Sequence, residues 1–292
     1  MRKRLLLVFN PTAGPTGRTL LEHVVREIQR RGGVIVPFEA KAGAARVPAP
    51  AEVQAGGYDA VIAAGGDGTV RELAKSLAGS EVAVGFVPMG TGNVLAHEIG
   101  LPTSASGLAG VLLNGPTVSV PGARANGEAF YLMAGAGFDG DVVARLNVLW
   151  KRRLGKAAYM SPVLGALSGP LPEIDVTLDG RAYKANWVVV TRARHYGGAF
   201  VLCPDAKFTG EMLSAVMVRA RSRVSLLRRL LTLPVGRLQH EPGVETVPCR
   251  LAVIRSVRPV PVQIDGDPFG TTPLEIEAGG VPFRLIVPAE RV

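Results

Sequence analysis

Aromatic residues make up only 5% of the chain, and no stretch interleaves them with basic residues. Base stacking on an aromatic platform is therefore not expected, and nucleic acid is excluded as the anticipated partner. There are two cysteines, Cys203 and Cys249, too few for a disulfide framework. A reducing cytosol is the setting they imply. The four histidines, His23, His97, His195 and His240, are scattered, and no pair has metal-ligand spacing. No Ser-His-Asp constellation, internal repeat or low-complexity tract stands out. Long apolar runs are also missing. The N-terminal "MRKRLLLVFNPTAG" begins like a signal peptide, but its apolar stretch spans only Leu5 to Phe9. That is shorter than the roughly 7–15 residues of a secretory core, and Asn10-Pro11 ends it. No run approaches the ~18 apolar residues of a membrane span, so the chain is expected to be soluble or peripheral to a membrane.

What is present is a globular composition with a basic balance. Of 292 residues, 47% are hydrophobic, and 33 basic residues outnumber 24 acidic ones for a net charge of +9. The length suits two domains. Glycine (36) and proline (22) together make about a fifth of the chain, which implies many turns. The excess charge is either an ordinary solvated surface or a match for an anionic partner, such as a nucleotide or a membrane surface.

The first ~120 residues alternate apolar runs with helical periodicity. Leu5–Phe9, "GGVIVPFEA", "YDAVIAAGG" and "EVAVGFVP" read as strands. Leu20, Leu21, Val24, Val25 and Ile28 mark one helix; Val70, Leu73, Ala74 and Leu77 mark another, stopped near Gly79; a short one follows near Asn93–Ile99. Strands that are apolar throughout imply a parallel sheet covered on both faces, with ligands bound at the carboxyl ends of its strands. The turns 10–17, 65–69 and 88–92 should lie on that edge. Past Pro121-Gly122 the texture changes. Asn-Gly and Asp-Gly pairs between β-rich runs predict hairpins. Further strands are expected at 213–219, 248–257, 260–265, 273–277 and 282–287, with helical signal only near 140–167 and 222–233. The expected fold is α/β plus β. A Rossmann-like α/β domain over 1–122 precedes a mostly antiparallel β-sandwich or flattened barrel over 123–292, whose C-terminal segment returns to the first domain.

Gly65-Gly66-Asp67-Gly68-Thr69 leaves a buried strand and opens a helix. Such a turn offers backbone N–H groups and a helix dipole to phosphate, and its glycines remove the Cβ that would block approach. Thr69 is placed to cap the helix and donate to a phosphate oxygen. Asp67 would repel a bare phosphate, so its presence implies a cation or a ribose hydroxyl. The plainer alternative is a tight turn with an Asx cap. "NPTAGPTGR" at 10–18, with Arg18 as a fixed cation, and "VPMGTGN" at 87–93, with Thr91 and Asn93, occupy equivalent turns. The pattern is neither Walker A nor the Gly-x-Gly-x-x-Gly of dinucleotide sites.

The ordered series "NPTAG", "GGDGT" and "PMGTGN" at 10–14, 65–69 and 88–93 resembles the diacylglycerol kinase catalytic-domain family, which includes bacterial lipid kinases and sphingosine and ceramide kinases. The likeness continues through "AGAGFDGDVV" at 134–143, "KRRLGKAAY" at 151–159, "GGAFVLCPDAKFTGEML" at 197–213 and "QIDGDPF" at 263–269. It implies two domains with the active site in the cleft between them, and phosphoryl transfer from ATP with Mg²⁺ to a lipid hydroxyl. The ATP-binding set it implies is Asn10, Gly14, Gly65, Gly66, Asp67, Gly68, Thr69, Val70, Arg71, Thr91 and Asn93, with Asp67 reaching the metal through Mg-ATP. Asp139 matches a family aspartate implicated in catalysis, and Asp267 the family's catalytic acidic residue, usually a glutamate. An alcohol is a poor nucleophile, so a carboxylate must accept its proton as the phosphoryl group moves. Asp139 and Asp267 are the candidates for that base and its partner. The plainer readings are a turn residue for Asp139 and a hairpin aspartate for Asp267, and Asp265 is closer still to a turn role.

Three departures from the family pattern stand out. Thr209 replaces an aspartate that belongs to a structural magnesium site in relatives, so that site is expected to be lost. Asp267 is one methylene shorter than glutamate. "FEAKAG" lacks the threonine that commonly contacts nucleotide. Two basic stretches remain. Arg145, Lys151, Arg152, Arg153 and Lys156 flank Leu149-Trp150, and six arginines from Arg219 to Arg237 surround "VSLLRRLLTLPV" with no acidic residue. They read either as solvated helices or as surfaces for an anionic membrane. The expectation is a cytoplasmic lipid kinase, peripheral to the inner face of the membrane, with a lipid and a nucleotide as partners. Homodimerisation is left open. The alternatives are a weak or inactive nucleotide- or lipid-binding homologue and a soluble-substrate kinase of the NAD kinase kind.

Overall fold

The computed structural model describes residues 1–9, 15–38, 47–145, 165 and 171–291. The chain divides into two compact units, Met1–Val120 with Val281–Val292, and Pro121–Gly280.

Unit one is built on β1 (Arg4–Phe9), α1 (Pro15–Arg30), β2 (Val34–Pro37), α2 (Pro50–Ala55), β3 (Ala60–Gly65), α3 (Asp67–Leu77), β4 (Ala83–Pro88), α4 (Val94–Glu98) and α5 (Ala105–Asn114). Its strands run parallel in the order β2-β1-β3-β4, extended past β4 by the last residues of the C-terminal strand, Arg284 and Leu285 opposite Ala83 and Val84. Every residue of β3 is buried, as a strand covered on both faces requires. On one face Leu5, Leu7, Ala60 and Ile62 pack with Val24 and Ile28 of α1 and Leu108, Ala109, Leu112 and Leu113 of α5. Helix α3 packs on β3 and β4 and buries Val70, Leu73, Ala74 and Leu77.

The sequence reading anticipated neither α2 nor α5. The second conceals itself because Gly107 and Gly110 lower its helix propensity and its run is apolar with little polar contrast. Ser104 starts it, its side chain accepting from the Gly107 amide at 3.1 Å.

Unit two is two antiparallel sheets around one core. One contains β5 (Thr117–Ala125), β6 (Glu128–Phe130), β8 (Ile174–Leu178), β9 (Arg181–Ala185), β15 (Leu251–Ser256) and β18 (Leu274–Ile286). The other runs β14-β13-β10-β7-β16-β17, where β7 is Met133–Gly137, β10 Trp187–Thr191, β13 Leu213–Val218, β14 Val244–Cys249, β16 Pro261–Ile264 and β17 Asp267–Thr271. Inward residues of both sheets share the core, among them Phe130, Ile174 and Ile276 from the first and Ala134, Val188 and Val262 from the second. A small separate hairpin joins β11 (His195–Tyr196) and β12 (Phe200–Val201). The two strands expected at 273–277 and 282–287 are one continuous strand, β18; the strand expected at 248–257 is β15 with the last two residues of β14, and the rest of β14 was not anticipated.

Three hairpins turn on an Asx-Gly pair with positive φ at both residues: Asn126-Gly127 (47°, 85°), Asp179-Gly180 (45°, 85°) and Asp265-Gly266 (48°, 84°). In each, the Asx side chain also holds a neighbouring segment. Asn126 accepts from Glu275 N, Asp179 from Leu251 N and Asp265 from three successive amides, Tyr131, Leu132 and Met133. Turn chemistry and sheet register are thus fixed by the same residues.

Phe130 is fully buried in the sandwich core. Phe130→Ala should lower stability by about 3–5 kcal/mol, read as a fall in the urea midpoint at unchanged slope. An unchanged midpoint would contradict the core assignment.

Candidate active site

In unit one the carboxyl ends of β1, β3 and β4 lie side by side, with Phe9 in register with Ala64 and Gly65 with Pro88. The strand order reverses direction between β1 and β3, which is where open α/β sheets take ligands. The segment after β1, carrying Asn10 and Gly14, lies outside the described residues. Arg18 is exposed in the first turns of α1, and Gly17 there lies close enough to Met89 that a Cβ would stand 2.9 Å from the Met89 Cβ.

The turns after β3 and β4 form one device. The Gly65 carbonyl accepts from Met89 N at 2.7 Å. The backbones of Gly66 and Gly90 meet so closely that a Cβ on Gly90 would stand 2.8 Å from the Gly66 Cα. Asn93, in left-handed backbone geometry, closes its own turn by accepting from Gly90 N and donating to Gly90 O, both at 2.8 Å. The Asp67 carboxylate reaches across and accepts the first two amides of α4, Val94 N at 2.9 Å and Leu95 N at 3.0 Å.

Helix α3 itself begins at Gly66 with no side-chain cap. Thr69 is its third residue rather than its cap, with Oγ1 2.2 Å from where a Gly65 Cβ would be. The amides of Thr69 and Val70 turn back to the Gly66 carbonyl. Val70 is buried in the apolar face of α3, so only its backbone is available to a ligand. Arg71 is largely buried beside Glu72, and Thr91 is half-buried in the second turn. The result is a glycine-lined, positively polarised edge with one carboxylate held by two amides.

In unit two, Asp139 sits in the first turn of α6 (Phe138–Arg145) and is 1% exposed. It lies tightly over Gly135, where a Cβ would stand 2.4 Å from Oδ2. Gln263 Nε2 donates to its Oδ2 at 2.8 Å, while Oδ1 is buried with no hydrogen-bond partner among the described residues. Burial pushes its pKa up to about 7. The Gln263 bond opposes the rise; the Gly140 amide and the Trp187 indole temper it without completing a bond to Oδ1. Gln263 also accepts from Gly266 N at 2.8 Å, which ties Asp139 to the β16–β17 hairpin. Asp267 opens the return strand of that hairpin opposite Ile264 and is exposed. Thus Asp139 and Asp267 belong to one assembly bridged by Gln263. Asp265 is the hairpin's clamp, spent on three amides at 2.9–3.0 Å.

Arg192 is fully buried beside this assembly. It donates to the carbonyls of Gly210 at 3.0 Å and Gly122 at 3.1 Å and more weakly to Phe208, which fixes the segment holding Thr209. Desolvation lowers its pKa to about 10, against the opposing pull of Asp265 and Tyr131. Sequence reasoning missed Gln263, Trp187 and Arg192. Only Gln263 carried a local signal, by lying two residues before the Asp-Gly turn. Lys151 and its basic neighbours lie outside the described residues.

Residues 4–125 match the diacylglycerol kinase catalytic domain, and residues 133–287 match the YegS C-terminal NAD kinase beta sandwich-like domain. A Mycobacterium tuberculosis diacylglycerol kinase is 32% identical over 243 residues, 79% of this chain and 77% of its own length. A Pseudomonas putida protein named "Probable lipid kinase YegS-like" is 30% identical over 252 residues, 82% of this chain and 80% of its own. A crystal structure of a diacylglycerol kinase from Bacillus anthracis has the same fold, with a TM-score of 0.69 at 21% identity, covering 100% of this chain and 98% of that one. The chain belongs to the diacylglycerol and YegS-like lipid kinase family.

Because Asp139 titrates higher folded than unfolded, the unfolded chain loses its proton first as pH rises. Wild-type stability should therefore fall between about pH 4 and pH 7 by a few kcal/mol. Asp139→Asn removes that loss, so urea melts of the variant should gain on the wild type across this range. A constant difference between the two would contradict the buried, raised carboxyl.

Proposed function

We propose that this chain transfers the γ-phosphate of ATP to a hydroxyl of a membrane lipid. The observation that carries the reading is the pairing of two glycine turns at the sheet's carboxyl edge, locked to each other through Asp67, Met89 and Gly90. The uncapped first turn of α3 offers amides to phosphate, and the missing Cβ atoms let it approach. Gly66, Gly68 and Thr69 supply the cradle, and Thr91 flanks it.

Magnesium habitually takes one or two carboxylates and completes its shell with phosphate and water. Asp67 suits that role. The two amides of α4 hold its carboxylate in a fixed orientation, and no described residues gather three or more His, Cys, Asp or Glu side chains into a cage of their own. Bound with the nucleotide, the ion neutralises phosphate charge. The chemistry assigned to this chain is proton transfer. As the lipid oxygen bonds to the γ-phosphorus and the bridge to ADP breaks, the hydroxyl proton passes to the exposed Asp267 carboxylate. Asp139, buried and held through Gln263, positions the hairpin that presents Asp267. The protein acts from the inner face of the membrane as a peripheral enzyme; among the described residues no helix is long and apolar enough to cross it.

One observation favours a second reading, a weakly active binding homologue. Asp267 is shorter than the glutamate usual in the family, and Asp139 holds its proton near neutrality. The test is labelled ATP with a panel of diacylglycerol, phosphatidylglycerol and sphingoid bases. We expect one labelled lipid. Asp267→Asn should cut turnover by about 10²–10⁴-fold without moving the melting temperature, whereas Asp267→Glu should retain or raise it. Gly90→Val should weaken ATP binding by about tenfold or more, measured by equilibrium dialysis. ATP binding with no lipid product overturns the kinase reading. Activity that appears only in Asp267→Glu favours the second.

A further inference from the structure

The arginine-rich stretch of unit two folds as helix α7 (Arg223–Thr232), followed by a short turn of 3-10 helix over Leu233–Val235. It is anchored from one side. Leu226 is 3% exposed, Ser222 caps the start through Ser225 N, and Arg229 is committed inward to the Pro242 carbonyl at 3.0 Å. The opposite side is unusual for a solvated helix. Val224 is 77% exposed, Leu227 42%, Leu231 67% and, just beyond, Val235 67%. At 100° per residue, Val224, Leu227 and Leu231 fall within about 60° of arc, roughly opposite Leu226. A solvated helix puts charge there, not a row of aliphatic side chains.

Basic residues border that row. Arg219, Arg221, Arg223 and Arg237 form no ion pair among the described residues, and there is no acidic side chain from 219 to 237. Arg228 has one partner at 3.8 Å, Glu241. The adjoining groove, about 1020 Å³, is lined by Lys184, Arg219, Arg221, Arg228 and Arg229 against Glu173, Asp175 and Glu241, an excess of basic side chains.

We infer that the exposed face of α7 is a docking surface for an anionic lipid bilayer: Val224, Leu227, Leu231 and Val235 enter the acyl boundary while the bordering arginines meet lipid phosphates. An apolar stripe alone could be covered by protein; a stripe ringed by unpaired arginines is complementary to a surface both greasy and negative. Arginine stems also reach from apolar depth to phosphate level. The inference specifies where the membrane association proposed above takes place, but its argument rests on exposure and charge, not on catalysis.

The test is co-sedimentation of the full chain with phosphatidylglycerol–phosphatidylcholine vesicles and with pure phosphatidylcholine vesicles, without nucleotide. Binding should be strong to the first, weak to the second, and weakened by salt. Leu227→Asp with Leu231→Asp should reduce it at least tenfold. Arg221→Gln with Arg223→Gln should reduce it several-fold and flatten the salt dependence. Both variants should melt like the wild type, since the altered side chains are exposed. Both should also phosphorylate detergent-dispersed lipid at the wild-type rate. Equal binding to neutral vesicles, unchanged binding by the variants, preference for DNA over vesicles, or a wild-type dimer dissociated by Leu231→Asp each overturns the docking surface. Those results leave the kinase reading standing if micellar turnover persists. Vesicle binding that behaves as expected with no turnover on any lipid overturns the kinase reading alone.

Discussion

The closeness of two backbones governs unit one. Gly66 and Gly90 approach so tightly that a Cβ on Gly90 would stand 2.8 Å from the Gly66 Cα and displace that turn. That approach sets the spacing of the β3–α3 and β4–α4 connections. It also brings the Asp67 carboxylate to the first amides of α4. A charged group at the start of α3 thereby stabilises the start of the next helix, and the two helices open from one rigid edge. The positive ends of both then face the carboxyl side of the sheet, at the point where strand order reverses. Phosphate recognition in such an edge needs no cationic side chain, because the backbone supplies it.

Unit two solves a different problem with similar means. Its hairpins use Asx-Gly turns whose side chains do a second job on a neighbouring segment. The β16–β17 turn takes this furthest. Asp265 gathers three consecutive amides, and Gln263 links the same hairpin to a carboxyl buried under α6. A buried acid with one unpartnered oxygen is costly. Its raised pKa shows how the fold lowers that cost, by favouring the protonated form over a wide pH range. The exposed Asp267 stands at the other end of the same connection, so one assembly holds one buried carboxyl and one exposed carboxyl.

Much of this was legible in the sequence, and the reasons are specific. The strands of unit one announce themselves as short apolar runs ended by Gly or Pro, and three glycine turns follow in order. The Asn126-Gly127 and Asp179-Gly180 hairpins were readable because positive φ at two successive residues selects that chemistry. Helix α5 was not, because two glycines and an all-apolar run erase the contrast that periodicity needs. Nor was β18, read as two strands across Gly279-Gly280. The partners of Asp67 and Asp139 lie 27 and 124 residues away, beyond any local pattern. From motif alone Asp67 read as a metal or ribose ligand. The structure adds that its carboxylate first holds a helix, so any ion it meets finds a carboxylate already oriented.

The central claim is that the paired glycine turns grip the nucleotide. The most direct measurement is an amide nuclear magnetic resonance titration of the full chain with Mg·ATP. The largest shifts should fall on Gly66 through Thr69 and Gly90 through Asn93, with those of Val94 and Leu95 following because Asp67 connects them. Saturable ATP binding whose shifts leave these amides untouched and cluster elsewhere would contradict it.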